Sequence, residues 1–143
     1  MKKFTIAAVS LFSLLCLSMS FAQTDERPPL LSVKDIMNGL IAPTTTTIWG
    51  AYQLETAAQW QEVRNAALSV IAAGNLLQFG GAGEGEAVMA SETGWKTTNQ
   101  QMIEAARLVI SAADNKDEEA LSAAGNDALY PPCESCHQQY QGQ

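Results

Sequence analysis

The chain has 143 residues and a formal net charge of −7 at pH 7, which leaves room for one ordinary domain and excludes a multidomain enzyme. Hydrophobic residues make up 47% of it while glycine and proline stay few, so the composition is that of a folded globular protein and not of a disordered one. The acidic balance argues against nucleic-acid binding, because that affinity comes mainly from lysine and arginine. The single histidine, His137, excludes a metal site that needs two histidines of one chain.

The first 22 residues have the organisation of a secretory signal peptide. Two lysines precede an apolar run over residues 4–19, and Ser20-Phe21-Ala22 supplies the small-x-small pattern of a cleavage site before Gln23. The run is short for a membrane span, and no stop-transfer pattern follows it. We therefore expect residues 1–22 to be removed on export to the periplasm, leaving no membrane anchor; a retained anchor is the alternative.

Cleavage would change both the charge and the thiol content of the chain. It would leave six basic residues against fifteen acidic ones, a net charge of −9. Cys16 would be lost with the signal peptide, so that Cys133 and Cys136 remain. Because exported proteins meet an oxidising compartment, these two thiols must be bridged or otherwise consumed.

Helical signals begin after a short tail, predicted to be flexible, at residues 23–31. Ser32 is a good N-cap with Asp35 three residues later, Thr56 with Gln59 is a second capping pair, and Asp117 is the expected cap of the fourth helix. Apolar residues recur at helical spacing in four successive stretches. Pro43 is expected to kink or restart the first helix, and Ile48, Trp49 and Tyr52 are expected to extend its apolar side. Gly125 and Pro131-Pro132 are expected to bend or break the fourth.

The remaining segments predict connections and no strand. Residues 80–94, rich in glycine, glutamate and serine, are predicted to form a loop, and no run alternates β-branched with polar residues. The sequence therefore predicts a single all-α domain over residues 32–143, folded as an antiparallel four-helix bundle.

The last dozen residues contain the C-x-x-C-H motif of covalent haem attachment, Cys133-Glu134-Ser135-Cys136-His137. Residues three apart lie on one face of a helical turn, so both thiols can reach the two vinyl groups of one porphyrin edge. His137, the next residue, can direct a ring nitrogen at the iron. The motif predicts one covalently bound haem c, attached through Cys133 and Cys136, with His137 as an axial iron ligand.

Other uses of the motif fit the rest of the chain less well. A structural zinc site needs four ligands, and these residues offer three with no second cluster. A redox dithiol of the thioredoxin type is expected near a βαβ pattern, which is missing here. A disulfide across two intervening residues closes too small a loop to stabilise much.

The stretch from about Leu30 to Tyr140 resembles the class II c-type cytochromes, the cytochrome c′-like family. The resemblance rests on the C-terminal CESCH, on Tyr140 three residues after the histidine, on the number of helices and on the opening VKDIMNGLIAP…IW stretch. It implies a four-helix bundle with haem attached near the C-terminus. The family usually runs an unbroken helix into the attachment site, whereas Pro131-Pro132 precede Cys133 here.

In an up-down-up-down bundle, the end of the fourth helix lies beside the start of the first. This geometry predicts that early first-helix residues, Leu77, Phe79 and the region from Met89 to Trp95 surround the haem. Met37, about one turn into the first helix, is the predicted second axial ligand, and the low-spin members that the chain resembles use a methionine near that position. Met102 lies about 10 Å further in along the third helix and is a poorer candidate. If Met37 only fills the core, the iron is five-coordinate and open to NO or CO.

These features predict an exported monohaem cytochrome that carries single electrons between periplasmic redox proteins. Its acidic surface favours partners with basic docking patches, and relatives of this kind often pair into homodimers. The sequence shows no pairing of carboxylates and no phosphate-binding loop that would predict an enzyme. The alternatives are a five-coordinate haem protein that binds NO or CO, and a haem-free redox dithiol protein.

Overall fold

A computed structural model describes residues 28–142. The predicted signal peptide and most of the predicted tail lie outside the described residues. Within 28–142 the chain forms helices and turns without any strand, which confirms the all-α prediction for this part of the chain. In the same range, no helix has the length and apolar character needed to cross a bilayer.

Seven α-helical and two π-helical segments join into five continuous stretches between residues 28 and 142. Stretch 33–49 comprises α1 (Val33–Ile36), π1 (Met37–Ile41) and α2 (Ala42–Trp49). Three separate helices follow: α3 (Ala57–Leu77), α4 (Glu86–Ser91) and α5 (Thr93–Asn115). Stretch 118–140 comprises α6 (Glu118–Ala123), π2 (Ala124–Leu129) and α7 (Tyr130–Tyr140).

Side-chain caps fix where three of these stretches begin. The Ser32 hydroxyl accepts a hydrogen bond from the Asp35 amide (3.1 Å), and the Asp35 carboxylate accepts one from the Ser32 amide (3.1 Å), a capping box. Thr56 and Gln59 form the same arrangement before α3. The Asp117 carboxylate caps α6 by accepting a hydrogen bond from the Ala120 amide. The predicted helix starts are therefore confirmed at these positions.

The prediction of a loop over residues 80–94 is wrong in its second half, which contains α4 and the start of α5. The turn after α3 depends on Gly80, whose φ of +78° is left-handed, and a Cβ there would clash with the Glu86 carbonyl oxygen. A six-residue helix such as α4 is marginal by itself and depends on tertiary contacts. Its local sequence therefore gave little sign of it.

The prolines do not break the helices, so the break predicted at Pro131-Pro132 is wrong. In π1 the Ala42 amide donates to the Met37 carbonyl, and in π2 the Tyr130 amide donates to the Gly125 carbonyl; each donor lies five residues after its acceptor. Each π segment ends just before a proline in the first turn of the next α-helix, Pro43 in α2 and Pro131 in α7. Since a proline ring clashes with the carbonyl four residues earlier in an α-helix, the wider turn lets both stretches continue through their prolines.

Helices α3 and α5 form the centre of the fold and run antiparallel. Arg64, early in α3, bonds Asp114, late in α5 (2.8 Å), while Asn99, early in α5, donates to the carbonyl of Gly74, late in α3 (2.9 Å). A Cβ at Gly74 would lie 2.6 Å from Ile103, so the two backbones approach closely there. Their facing sides are apolar and alanine-rich, with Ala67, Val70, Ala73, Ala106 and Val109 fully buried.

The first and last stretches pack around this pair. The Trp95 ring, near the start of α5, meets the Tyr140 ring at the end of α7 with centroids 5.3 Å apart. The Trp49 indole N–H, at the end of α2, donates to the Gly125 carbonyl in π2 (3.0 Å). The expected extension of the first apolar face to Tyr52 is wrong: this side chain is 75% exposed, because α2 ends at Trp49.

Candidate cofactor site

A cavity of about 880 Å³ lies where the start of the first stretch, the end of α3, the start of α5 and α7 meet. All four residues predicted from the sequence line it: Met37, Cys133, Cys136 and His137. Its volume falls within the roughly 300–1,000 Å³ typical of ligand and cofactor pockets. The fold therefore brings together residues that are about a hundred positions apart in the chain.

Cys133 and Cys136 lie on α7, three residues apart, and both are half-buried free thiols. Burial raises the pKa of Cys133 from 9.0 to about 11, and the neighbouring Cys136 adds to the rise. Burial also raises the pKa of Cys136, opposed by a hydrogen bond with Thr98. Both sulfurs are therefore neutral thiols at neutral pH.

His137 follows on the same helix and combines solvent exposure with contact to the cavity. It belongs to the last turns of α7, where its backbone carbonyl accepts from the Gln141 amide (3.0 Å). The sole imidazole of the chain thus lies at the rim of the cavity that the two thiols face.

Three methionines line the cavity, each from a different helical segment: Met37 from π1, Met89 from α4 and Met102 from α5. Met37 and Met89 are half-buried, while Met102 is 6% exposed. The lower ranking of Met102 rested on its distance along a helix, and the structure places it at the same cavity as Met37. Thioethers are soft ligands that suit haem iron, so the lining offers more than one sulfur of this type.

Of the residues expected around the haem, Leu77, Met89 and Trp95 line the cavity and Phe79 does not. Phe79 is 64% exposed, because α3 ends at Leu77 and the Gly80 turn leads the chain away. The Trp95 indole N–H donates to the Leu77 carbonyl across 2.7 Å, which locks the end of α3 to the start of α5.

Sequence reasoning missed the polar lining on α5 and α2. Thr98 and Asn99 line the cavity, and the Asn99 amide is fixed by its bond to Gly74 while its buried Oδ1 has no hydrogen-bond partner among residues 28–142. Thr45 is buried with its hydroxyl bonded to the Ile41 carbonyl (2.8 Å). A signal was available for Asn99, since it lies four residues after Trp95 on the same helical face.

Charged residues lie at the cavity on the side of the first helix. Lys34 and Glu84 are exposed lining residues. The Glu86 carboxylate accepts from the amides of Val33 (3.0 Å) and Gly83 (2.9 Å), so it is tied into the protein. Lys34 is therefore the lining cation that could meet an anionic group of an occupant.

The donor set fits a covalently attached haem. It combines two thiols on one face of a helix, an imidazole next to them and thioethers from other helical segments, around a largely apolar cavity. Residues 28–142 contain no group of three or more His, Cys, Asp or Glu side chains arranged to hold a metal ion. No protein-family model, curated protein or solved structure matches the chain.

Proposed function

We propose that this chain is an exported monohaem class II c-type cytochrome that carries single electrons between periplasmic redox proteins. The observation that carries the proposal is the meeting of Cys133, Cys136, His137 and Met37 in one cavity. The C-x-x-C-H spacing is the specific part of this set. Export rests on the signal peptide predicted at residues 1–22.

An antiparallel four-helix bundle is the architecture that accounts for the helix pairings. Stretch 33–49, α3, α5 and stretch 118–140 are its four members. The Asn99–Gly74 bond and the Trp49–Gly125 bond link neighbouring members that run in opposite directions. The continuous helix through Pro131 into Cys133 supports the resemblance to the cytochrome c′-like family, in which that helix is unbroken.

Each residue of the motif has a defined role in this proposal. Cys133 and Cys136 would hold the porphyrin through two thioether bonds, and His137 would supply a nitrogen ligand to its iron. A bound haem supplies a one-electron couple between ferric and ferrous iron. The buried lining formed by Leu77, Trp95 and their neighbours keeps water away from the cofactor, and burial is one of the factors that set its potential.

Met37 is the proposed second axial ligand because it starts the first-helix π segment at the cavity. Histidine–methionine ligation raises the reduction potential and closes the iron to gases. The second candidate function, a five-coordinate haem protein that binds NO or CO, is favoured by the packing of Met37 against the hydrophobic core. Addition of CO to the reduced protein distinguishes them, since rapid stoichiometric binding excludes firm methionine ligation.

The proposal is tested by the intact mass and absorption spectrum of protein exported by a host that attaches haem c. The expected product is coloured, heavier than the polypeptide by one haem, and stays so after denaturation. Cys133→Ala or Cys136→Ala should reduce the attachment to one thioether or abolish maturation, and His137→Ala should prevent stable low-spin iron. A colourless product with the mass of the bare polypeptide would overturn the proposal and favour a dithiol protein.

A further inference from the structure

A second cavity, of about 560 Å³, lies between the end of α2 and the start of stretch 118–140. We call it the Trp49 groove. Its lining includes Trp49, Tyr52, Glu118, Glu119 and Gly125. Trp49 also lines the large cavity, and no other residue of 28–142 lines both. One side chain thus connects the candidate cofactor site with a separate surface groove.

The Trp49 ring is held firmly although it is 43% exposed. Its N–H donates to the Gly125 carbonyl (3.0 Å), and its ring meets that of Tyr130 edge to face with centroids 6.3 Å apart. A Cβ at Gly125 would lie 3.4 Å from Trp49 Cδ1, in van der Waals contact. The ring is therefore fixed between the large cavity and the groove.

The groove combines exposed aromatic rings with carboxylates. Residues 28–142 contain four exposed aromatic side chains, and three of them line the groove or contact Trp49: Trp49 itself, Tyr52 (75%) and Tyr130 (51%). Glu118 accepts from the Leu54 amide (2.6 Å), whereas Glu119 has no hydrogen bond or ion pair within the described part of the chain. Aromatic faces beside carboxylates suit a lysine or arginine side chain.

We propose that the Trp49 groove docks the lysine- or arginine-bearing face of a redox partner and that electrons enter or leave the protein past Trp49. This inference rests on the proposed function, because it requires a haem iron in the large cavity. The electron moves between the partner's redox centre and that iron, so one is oxidised as the other is reduced, and no bond is made or broken. Charge favours such a partner over a second copy of this chain. The net charge is −7, or −9 once residues 1–22 are removed, so a second copy would place further negative charge against the carboxylates of Glu118 and Glu119.

A binding experiment tests the groove without using the haem. Tetralysine is titrated into the isotope-labelled protein while backbone and indole N–H resonances are followed. We expect the shifts to concentrate on the Trp49 indole, Tyr52 and residues 118–126, and to be lost in the double variant Glu118→Gln/Glu119→Gln. Glutamine at 118 keeps an acceptor for the Leu54 amide. Glu104→Gln, an exposed change of the same type outside both cavities, should leave the pattern unchanged.

Tyr52→Ala provides a second variant that leaves the helices intact, because Tyr52 is exposed and follows the end of α2. It should weaken tetralysine binding with both carboxylates present. Shifts that centre on the mouth of the large cavity, or that persist in the double variant, would overturn the docking site. A concentration-dependent dimer that buries Trp49 would overturn it as well.

Electron transfer is measured separately, by stopped-flow reduction of the haem protein with cationic hexaammineruthenium(II) and with the anionic iron(II)–EDTA complex. The double glutamine variant should slow reduction by the cationic complex about fivefold and flatten its salt dependence, while reduction by the anionic complex becomes no slower. An equal loss with Glu104→Gln would contradict the proposal. Should the chain carry no haem, the electron-transfer role fails with the proposed function, while the tetralysine result still decides whether the groove binds a basic partner.

Discussion

The carboxylate of Glu86, at the start of α4, accepts a hydrogen bond from the amide of Val33, 53 positions earlier and at the start of α1, across 3.0 Å. The same oxygen accepts from the Gly83 amide (2.9 Å). One side chain thereby joins the connection between α3 and α5 to the helix that carries Met37. The first turn of α1 receives a negative charge, which is favourable at a helix N-terminus.

Glu86→Ala should therefore destabilise the fold by about 2 kcal/mol, the order expected when a charged acceptor of partly buried amides is lost. Urea unfolding followed by circular dichroism measures the change. Glu84→Ala is the matched control, because Glu84 is an exposed neighbour without a hydrogen bond or ion pair in the described part of the chain. Equal stability of the two variants would show that the Glu86 bonds contribute nothing.

Gly74→Ala should destabilise the protein by about 1–3 kcal/mol, the usual cost of overpacking. The added methyl would meet Ile103 at 2.6 Å and 2.9 Å, where α3 and α5 come closest. An Ile103→Ala background should remove most of this cost in a double-mutant cycle. By contrast, a Cβ at Gly39 meets nothing within 4 Å, so Gly39→Ala should leave stability unchanged or raise it by about 0.5–1 kcal/mol.

Under the proposed function, Met37→Leu should open the iron to CO, whereas Met102→Leu should leave the spectrum and the CO response unchanged. Leucine preserves volume and removes the sulfur, so the comparison separates ligation from packing. Met89→Leu serves as a second control, since Met89 lines the same cavity. If Met102→Leu opened the iron to CO and Met37→Leu did not, Met102 would be the ligand. If neither change altered the spectrum or the CO response, the five-coordinate protein that binds NO or CO would be favoured.

The thiols of haem-free protein should react slowly at neutral pH. With the pKa of Cys133 raised from 9.0 to about 11, its thiolate fraction at pH 8 is about a hundredfold below that of an unperturbed cysteine. Iodoacetamide labelling followed by peptide mass analysis should show Cys133 reacting at that reduced rate and accelerating up to about pH 11. Urea-unfolded protein is the control, and equal rates in both states would contradict the burial of this thiol.

The same shift makes haem-free protein less stable in alkali. The folded state holds the Cys133 proton more tightly than the unfolded state does. The stabilisation that the protonated thiol contributes to the fold is therefore complete below pH 9 and is lost as the pH rises towards 11. Unfolding free energies at pH 8 and pH 10.5 should therefore differ less in Cys133→Ala than in the parent chain. An unchanged difference would show that other groups account for the alkaline loss.

The sequence was sufficient to predict the all-α class, the caps at Ser32, Thr56 and Asp117, and the side chains that line the cavity from α7 and π1. Those predictions depend on local chemistry: a capping hydroxyl, an apolar period or a C-x-x-C-H spacing acts within one or two turns. The covalent haem itself, the partners and the export remain predictions.

What could not be predicted depends on tertiary contacts. Helix α4 begins at Glu86, whose carboxylate bonds the amides of Gly83 and of Val33, and the bond to Val33 links distant parts of the chain. Met102 reaches the cavity because the α3–α5 contact at Gly74 brings α5 close to its neighbour, and a distance along one helix says nothing of that approach. The prolines were expected to interrupt helices because their effect was judged on α-helical geometry alone.

The two π segments have a consequence for the angular setting of the side chains beyond them. An additional residue in a turn rotates everything downstream by about 100° relative to an uninterrupted α-helix. Stretch 118–140 thus points its two sulfurs inward only with the insertion at Ala124–Leu129 in place. Deleting one residue from that segment would keep the helix but rotate the CESCH residues about the helix axis, away from Met37. The rotational setting of this helix is therefore itself a determinant of the site.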